Sequence, residues 1–109
     1  MKSISDRAEV SVDFPDKTYM GSFGHESSFE VKVEAEEVML RIVRTGAERR
    51  EIAVHLHYFL LADLLKELGK GLGDHGFLDE AHLEALRDAA DLLRNSLGVR
   101  RTQGSAKKK

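Results

Sequence analysis

His55-Leu56-His57 is the spacing in this chain most suggestive of chemistry. Two imidazoles at i and i+2 share a face on a strand and can hold a divalent metal. On a helix they point about 200° apart. The pair falls where a strand pattern gives way to a helix pattern, so residue type alone leaves the geometry open. A third ligand would come from His25, His75, His82 or an acid. The plainer reading is one capping and one exposed histidine. We therefore assign no metal and no cofactor, and His55 and His57 are the residues to inspect. The chain has no cysteine, which excludes disulfides, thiolate nucleophiles and cysteine-based zinc sites.

Gly69-Lys70-Gly71-Leu72-Gly73-Asp74-His75-Gly76 has the composition of a phosphate-binding loop but not its order. It lacks GxxxxGK[ST], and it follows a helix pattern instead of a strand. Asp79, at the start of the next helix, would repel an anion there, so the stretch reads as a flexible linker between helices. Asp74-His75 with Asp79 and Glu80 has no Ser or Cys nucleophile beside it in sequence. Ser22, Ser27 and Ser28 around His25 read as loop residues. No catalytic residue is assigned, and the expectation is a protein that is not an enzyme.

Charge is distributed unevenly. Residues 98–109 carry five basic and no acidic residues, whereas the rest holds 12 basic and 19 acidic ones. An acidic body with a basic tail suits nucleic acid only through the tail and one strand edge. That alternative would use Arg49, Arg50, Arg100, Arg101, Lys107, Lys108 and Lys109, with Tyr19, Phe23 and Phe29 as stacking aromatics. Against it, Glu48 and Glu51 flank the Arg49-Arg50 pair, and the three aromatics fall on the apolar side of their strands. Arg41 and Arg44 lie on opposite faces of one strand and form no patch.

These residues must be held by elements legible in the hydrophobic period. His55–Leu72 reads as a helix, its leucines Leu56, Leu60, Leu61, Leu64, Leu65, Leu68 and Leu72 forming a broad stripe. Tyr58, Phe59 and Ala62 widen that arc beyond what a one-sided surface helix needs. The uninterrupted apolar run Tyr58–Ala62 is far below the roughly 20 residues of a membrane span, so no membrane role is expected. Before the helix, alternation predicts strands at Ala8–Phe14, Thr18–Phe23, Ser28–Ala35, Val38–Thr45 and Arg49–Val54. Pro15-Asp16-Lys17 suits a tight turn, and Gly21 suggests a bulge or a close backbone approach. Met39 and Val43 make the fourth strand apolar on both faces, as a central strand would be. After the glycines, Asp79 is a helix N-cap with Leu78 and Leu83 as a staple. Leu83, Leu86, Ala90, Leu93 and Leu97 then form a second apolar face, closed by Gly98.

The expected fold is α+β: a five-stranded antiparallel meander followed by two C-terminal helices packed on one face of the sheet. A single domain over 8–98 would lie between a flexible N-terminus (1–7) and a disordered basic tail (99–109). The first ten residues lack an apolar signal core, so a cytoplasmic protein is expected. The function that fits is a small interaction or regulatory domain with a protein partner, self-associating as a homodimer. Met39, Val43, Tyr58 and Phe59 are its expected association residues.

Overall fold

A computed structural model describes residues 1–46, 48–76 and 78–107, with side chains described as far as Gly98. The order is β1 (Lys2–Ser3), β2 (Ala8–Phe14), β3 (Lys17–Phe23), β4 (Ser27–Val33), β5 (Glu37–Arg44), β6 (Arg50–His57), α1 (Tyr58–His75) and α2 (Glu80–Lys107). The fold is α+β, with antiparallel sheets followed by two helices.

The strands do not form one meander. β1, β4, β5 and β6 make a four-stranded sheet in the order β1-β4-β5-β6, and β2 with β3 makes a separate two-stranded sheet. The reason lies at the free edge of β4. Lys2 pairs with Phe29 and Ser3 with Ser28, and Ile4 N–H donates to the Ser27 carbonyl at 3.2 Å. The N-terminal residues thus occupy the edge that β3 would have needed, and they are strand from Lys2 onward rather than a loose end. β3 turns away through Gly24, whose carbonyl accepts from Ser27 N–H at 2.8 Å.

Each hairpin follows from its turn chemistry. Phe14 pairs with Lys17 across Pro15-Asp16, and the Thr18 hydroxyl donates to the Asp13 carboxylate. Proline sets a negative φ, and no described non-glycine residue has a positive one, so this is not a primed turn. Gly21 stays in register with Val10, so there is no bulge. It is instead the place of a close approach: a Cβ there would lie 3.3 Å from Arg50 Nη1.

Register puts the alternating apolar residues on one face of the large sheet. Phe29, Ile42 and Ile52 form one row, Val31, Leu40 and Val54 the next, and Val33, Val38 and Leu56 the last. β5 is central and buried from both sides, through Val38 on this face and Met39 and Val43 on the other. Phe23 completes the buried apolar set among the described residues. The hairpin β2–β3 and the segment Ile4–Ala8 border clefts shared with Phe29, Leu40, Ile42 and Ile52. They sit where the helical pair was expected.

The helix begins three residues later than its hydrophobic period suggests, because His55, Leu56 and His57 pair as strand with Met39, Val38 and Glu37. It also runs through Gly69, Gly71 and Gly73 and is no flexible linker there. It ends at Gly76, whose φ of 65° and N–H bond to the Leu72 carbonyl at 3.2 Å form a left-handed C-terminal cap. α1 has no buried residue. In its first three turns Leu60, Leu64, Leu65 and Leu68 stay exposed, so those turns do not deliver the expected cover of the sheet. α2 starts as expected at Asp79, whose carbonyl accepts from Leu83 N–H at 3.0 Å. Gly98 does not stop it, and the helical backbone continues to Lys107. The chain divides into two compact units, Met1–Leu68 and Gly69–Lys109.

Candidate functional site

The most conspicuous chemistry of the surface is apolar. α1 is anchored at its first residue: the Tyr58 hydroxyl lies 2.6 Å from the Glu34 carbonyl and 3.1 Å from that of Glu37, and donates to this pair. The turn between β4 and β5 therefore fixes where the helix leaves the sheet. From there Tyr58, Leu61, Leu65, Leu68 and Leu72 recur at the 3-4 spacing of a coiled-coil seam. Leu60 and Leu64 extend the arc to roughly 160° of the circumference, wider than the 100° or so that one neighbour covers. In α2, Leu83, Leu86, Ala90, Leu93 and Leu97 repeat the same 3-4 spacing. Leu60, Leu64, Leu65, Leu68, Leu72, Leu86, Leu93 and Leu97 are all exposed, and Phe59 is 92% exposed.

Of the four association residues expected from sequence, the structure separates two from two. Met39 and Val43 are buried on β5, at 5% and 8% exposure, and offer no surface to a partner. A central strand explains this: both of its faces acquire neighbours, so apolarity on two sides marks burial instead of docking. Tyr58 and Phe59 are exposed.

His55 and His57 share one face of β6, the strand outcome of the two geometries. Between them lies Glu37, with Oε2 2.7 Å from His55 Nδ1 and Oε1 3.4 Å from His57 Nε2. The third group is an acid on the neighbouring strand. His25 lies in a turn, His75 ends α1 and His82 opens α2. Among the described residues no three His, Cys, Asp or Glu side chains are arranged to hold a metal ion. The arrangement works as a cross-strand polar clasp that ties β6 to β5 next to the start of α1.

Asp79 caps α2. Its Oδ1 accepts from His82 N–H at 3.0 Å and lies 2.6 Å from the ring Nδ1 of the same residue. The backbone hydrogen bond, followed by the ring contact, holds the Asp79 carboxyl below its usual value. The cluster of Asp74, His75, Asp79 and Glu80 thus contains a cap. Gly69, Gly71 and Gly73 lie within α1, where interior N–H groups are spent on helical hydrogen bonds and none is left to cradle phosphate.

Of the arginines expected for nucleic acid, Arg49 and Arg50 are engaged by acids. Arg49 reaches Glu51 at 3.0 Å, Arg50 reaches Glu48 at 2.9 Å, and Arg41 lies between Glu30 and Glu51 at 3.7 and 3.5 Å. Phe23 is buried and Phe29 half-buried. Tyr19 is exposed, with Phe14 edge-on at 6.1 Å and Lys17 Nζ 5.7 Å from its ring. The side chains of Arg100, Arg101 and Lys107, and Lys108 and Lys109 entirely, lie outside the described residues.

No family model, no curated protein and no solved structure matches the chain. No described helix is long and apolar enough to cross a membrane. Sequence reasoning drew association from the over-wide arc of α1 and chose Tyr58 and Phe59 for it, but it did not name the exposed leucines. The signal that marks them is the 3-4 spacing common to both helices, together with an apolar arc too wide for one neighbour.

Proposed function

We propose that the chain is a small, non-catalytic protein-interaction domain that self-associates through the leucine faces of its helices. The observation that carries this reading is the exposure of Leu60, Leu64, Leu65 and Leu68 along α1. Isolated surface leucines need no explanation, but a contiguous row exceeding a few hundred Å² marks an interaction site. The β-sheets supply a scaffold: the Tyr58 anchor and the Glu37–His55–His57 clasp set the base of α1 on β5 and β6. The acids around Arg41, Arg49 and Arg50 favour this reading over a nucleic-acid surface on the strand edge.

The test is a pull-down of the tagged full chain from native lysate, with one half of the sample nuclease-treated before washing. Protein, including untagged copies of the chain, should remain bound after nuclease. Loss of every bound species on nuclease treatment would transfer the function to nucleic acid. Capture of nothing, by a chain that is also monomeric, would refute the interaction reading.

A further inference from the structure

We infer that β6 is a docking edge whose occupant is β6 of a second copy of this chain, paired antiparallel about Val54. Every residue used lies in the unit Met1–Leu68 of each copy. The contact is separate from the leucine faces of the helices and adds a second surface to the interaction reading.

The first observation is an unfilled edge. In the order β1-β4-β5-β6 the last strand has a neighbour on one side only. All 8 residues Arg50–His57 pair with β5 in unbroken register, so β6 is regular along its length. Among the described residues, no turn, loop or cap hydrogen bond reaches its backbone. The outer side of β6 therefore presents a row of N–H and C=O groups to an incoming strand.

Such edges are ordinarily blunted by shortness, proline, lysine or a bulge. The opposite edge of this sheet is β1, only 2 residues long. β6 contains no proline, lysine or glycine and no bulge, and its Arg and Glu are confined to one end. Ile52 and Val54 are β-branched, as a pairing strand favours. Access is open: Val54 is 39% exposed, and the His55 and His57 side chains are exposed as well.

The second observation is self-complementarity. Along β6, Ile52, Val54 and Leu56 alternate with Glu51, Ala53, His55 and His57. A two-fold axis through Val54 sets Ile52 opposite Leu56 and Glu51 opposite His57, each of them twice. Apolar residues then meet apolar residues, and the carboxylate meets an imidazole able to donate to it, with no like charges opposed. The row Val31, Leu40, Val54 across β4, β5 and β6 continues into Val54 of the second copy, so two four-stranded sheets join into one. Moving the axis to Ala53 sets Arg50 against Leu56. Placing it between two residues turns the apolar face of one copy to the polar side of the other. One strand thus carries both halves of the complement.

The other surfaces lead less far. The cleft of about 460 Å³ that includes Tyr19, Phe23, Arg50 and Ile52 is open, and the Arg50 guanidinium is already paired with Glu48. The Glu37–His55–His57 cluster is closed by its own contacts.

The experiment uses the full chain and sedimentation equilibrium over roughly 1–100 μM, the range in which dimers of moderate affinity dissociate. Leu68→Asp breaks the leucine face of α1, and that variant should still reach twice the 12.2 kDa protomer mass. Adding Val54→Lys, which opposes two ammonium groups on the axis, should give the protomer mass with β-sheet circular dichroism retained. A double variant that stays dimeric overturns the inference. Loss of all association with Leu68→Asp alone also refutes the edge, and leaves the leucine faces as the interaction surface. Capture of a different protein by a monomeric chain, lost with Val54→Lys, overturns the second copy as occupant. Should a variant fail to fold, single cysteines decide, because the chain has none of its own. Oxidised at low concentration, Val54→Cys should form a disulfide-linked dimer, and Lys17→Cys on the β2–β3 turn none. Linking no faster than the Lys17→Cys control overturns the pairing, and faster linking through Ala53→Cys than through Val54→Cys overturns the register.

Discussion

Two polar residues show how local chemistry is spent on architecture. The Asp79 carboxylate accepts from the His82 N–H in the first turn of α2 through its charged form, so its folded-state pKa lies below that of the unfolded chain. The sign follows from linkage: the stabilisation is fully present above the ordinary carboxylate value and is lost as pH falls through the lowered one. Carboxyl-detected NMR should find Asp79 titrating below the ordinary aspartate value. Asp79→Asn, which keeps the acceptor oxygen, should preserve the cap while removing that acid-dependent loss of α2 helicity; an unchanged acid transition would disprove the role. Ser27 presents the opposite case. It is 2% exposed, and its Oγ has no hydrogen-bond partner, although its backbone is bonded to Gly24 and Ile4. Removing an unsatisfied buried hydroxyl relieves a desolvation cost, so Ser27→Ala should leave the denaturation free energy unchanged or raise it by up to about 1 kcal/mol. A clear loss of stability would show that the hydroxyl is needed.

At the scale of elements, α1 contains glycines with contrasting roles. Gly73 lies in the helix, and nothing stands within 4 Å of where its Cβ would be; Gly76 ends the helix at φ 65°. Gly73→Ala should therefore stabilise the helix by about 1 kcal/mol, because glycine costs that much in a helix interior relative to alanine. Gly76→Ala should destabilise by about 1 kcal/mol, since a Cβ is strained in the left-handed region. Thermal melts of both variants, read at 222 nm, check the two signs together. The central strand makes a third contrast. Val43 is buried and Leu68 exposed, so Val43→Asp should unfold the sheet, whereas Leu68→Asp should leave it folded. A folded Val43→Asp protein would mean that the β5 assignment is wrong.

At the scale of the whole molecule, described apolar burial is confined to Phe23, Val38, Met39 and Val43, while leucines along both helices remain accessible. Under the proposed self-association, folding and association are linked by mass action. The melting temperature should then rise with protein concentration. A melting temperature independent of concentration over two orders of magnitude would argue for a self-sufficient monomer. The mixed charges of the helices suit such an assembly. The net charge of −2 spreads over an acidic body and a basic end, and gives no long-range field that would direct the chain to nucleic acid.

Much of this was legible in the residues. Alternation placed β2 to β6 within a few residues of where they lie, because a half-buried strand must repeat every second position. The Asp79 cap, the close approach at Gly21 and the centrality of β5 also followed from local chemistry. What the sequence could not decide was which edges pair and which apolar faces are covered. β1 takes the edge of β4 through only two polar residues, a contact that depends on backbone hydrogen bonds and leaves no trace in the hydrophobic pattern. His55 to His57 satisfy the helix period yet pair as strand, because β5 offers partners for their backbone groups. The leucines of α1 and α2 look the same in sequence whether they face an internal core or a partner, since periodicity records that a face must leave water and not what displaces the water. Only the tertiary structure showed that the segment Ile4–Ala8 and the β2–β3 hairpin border the sheet's apolar residues Phe29, Leu40, Ile42 and Ile52, while Leu60, Leu64, Leu65 and Leu68 in the first turns of α1 stay exposed.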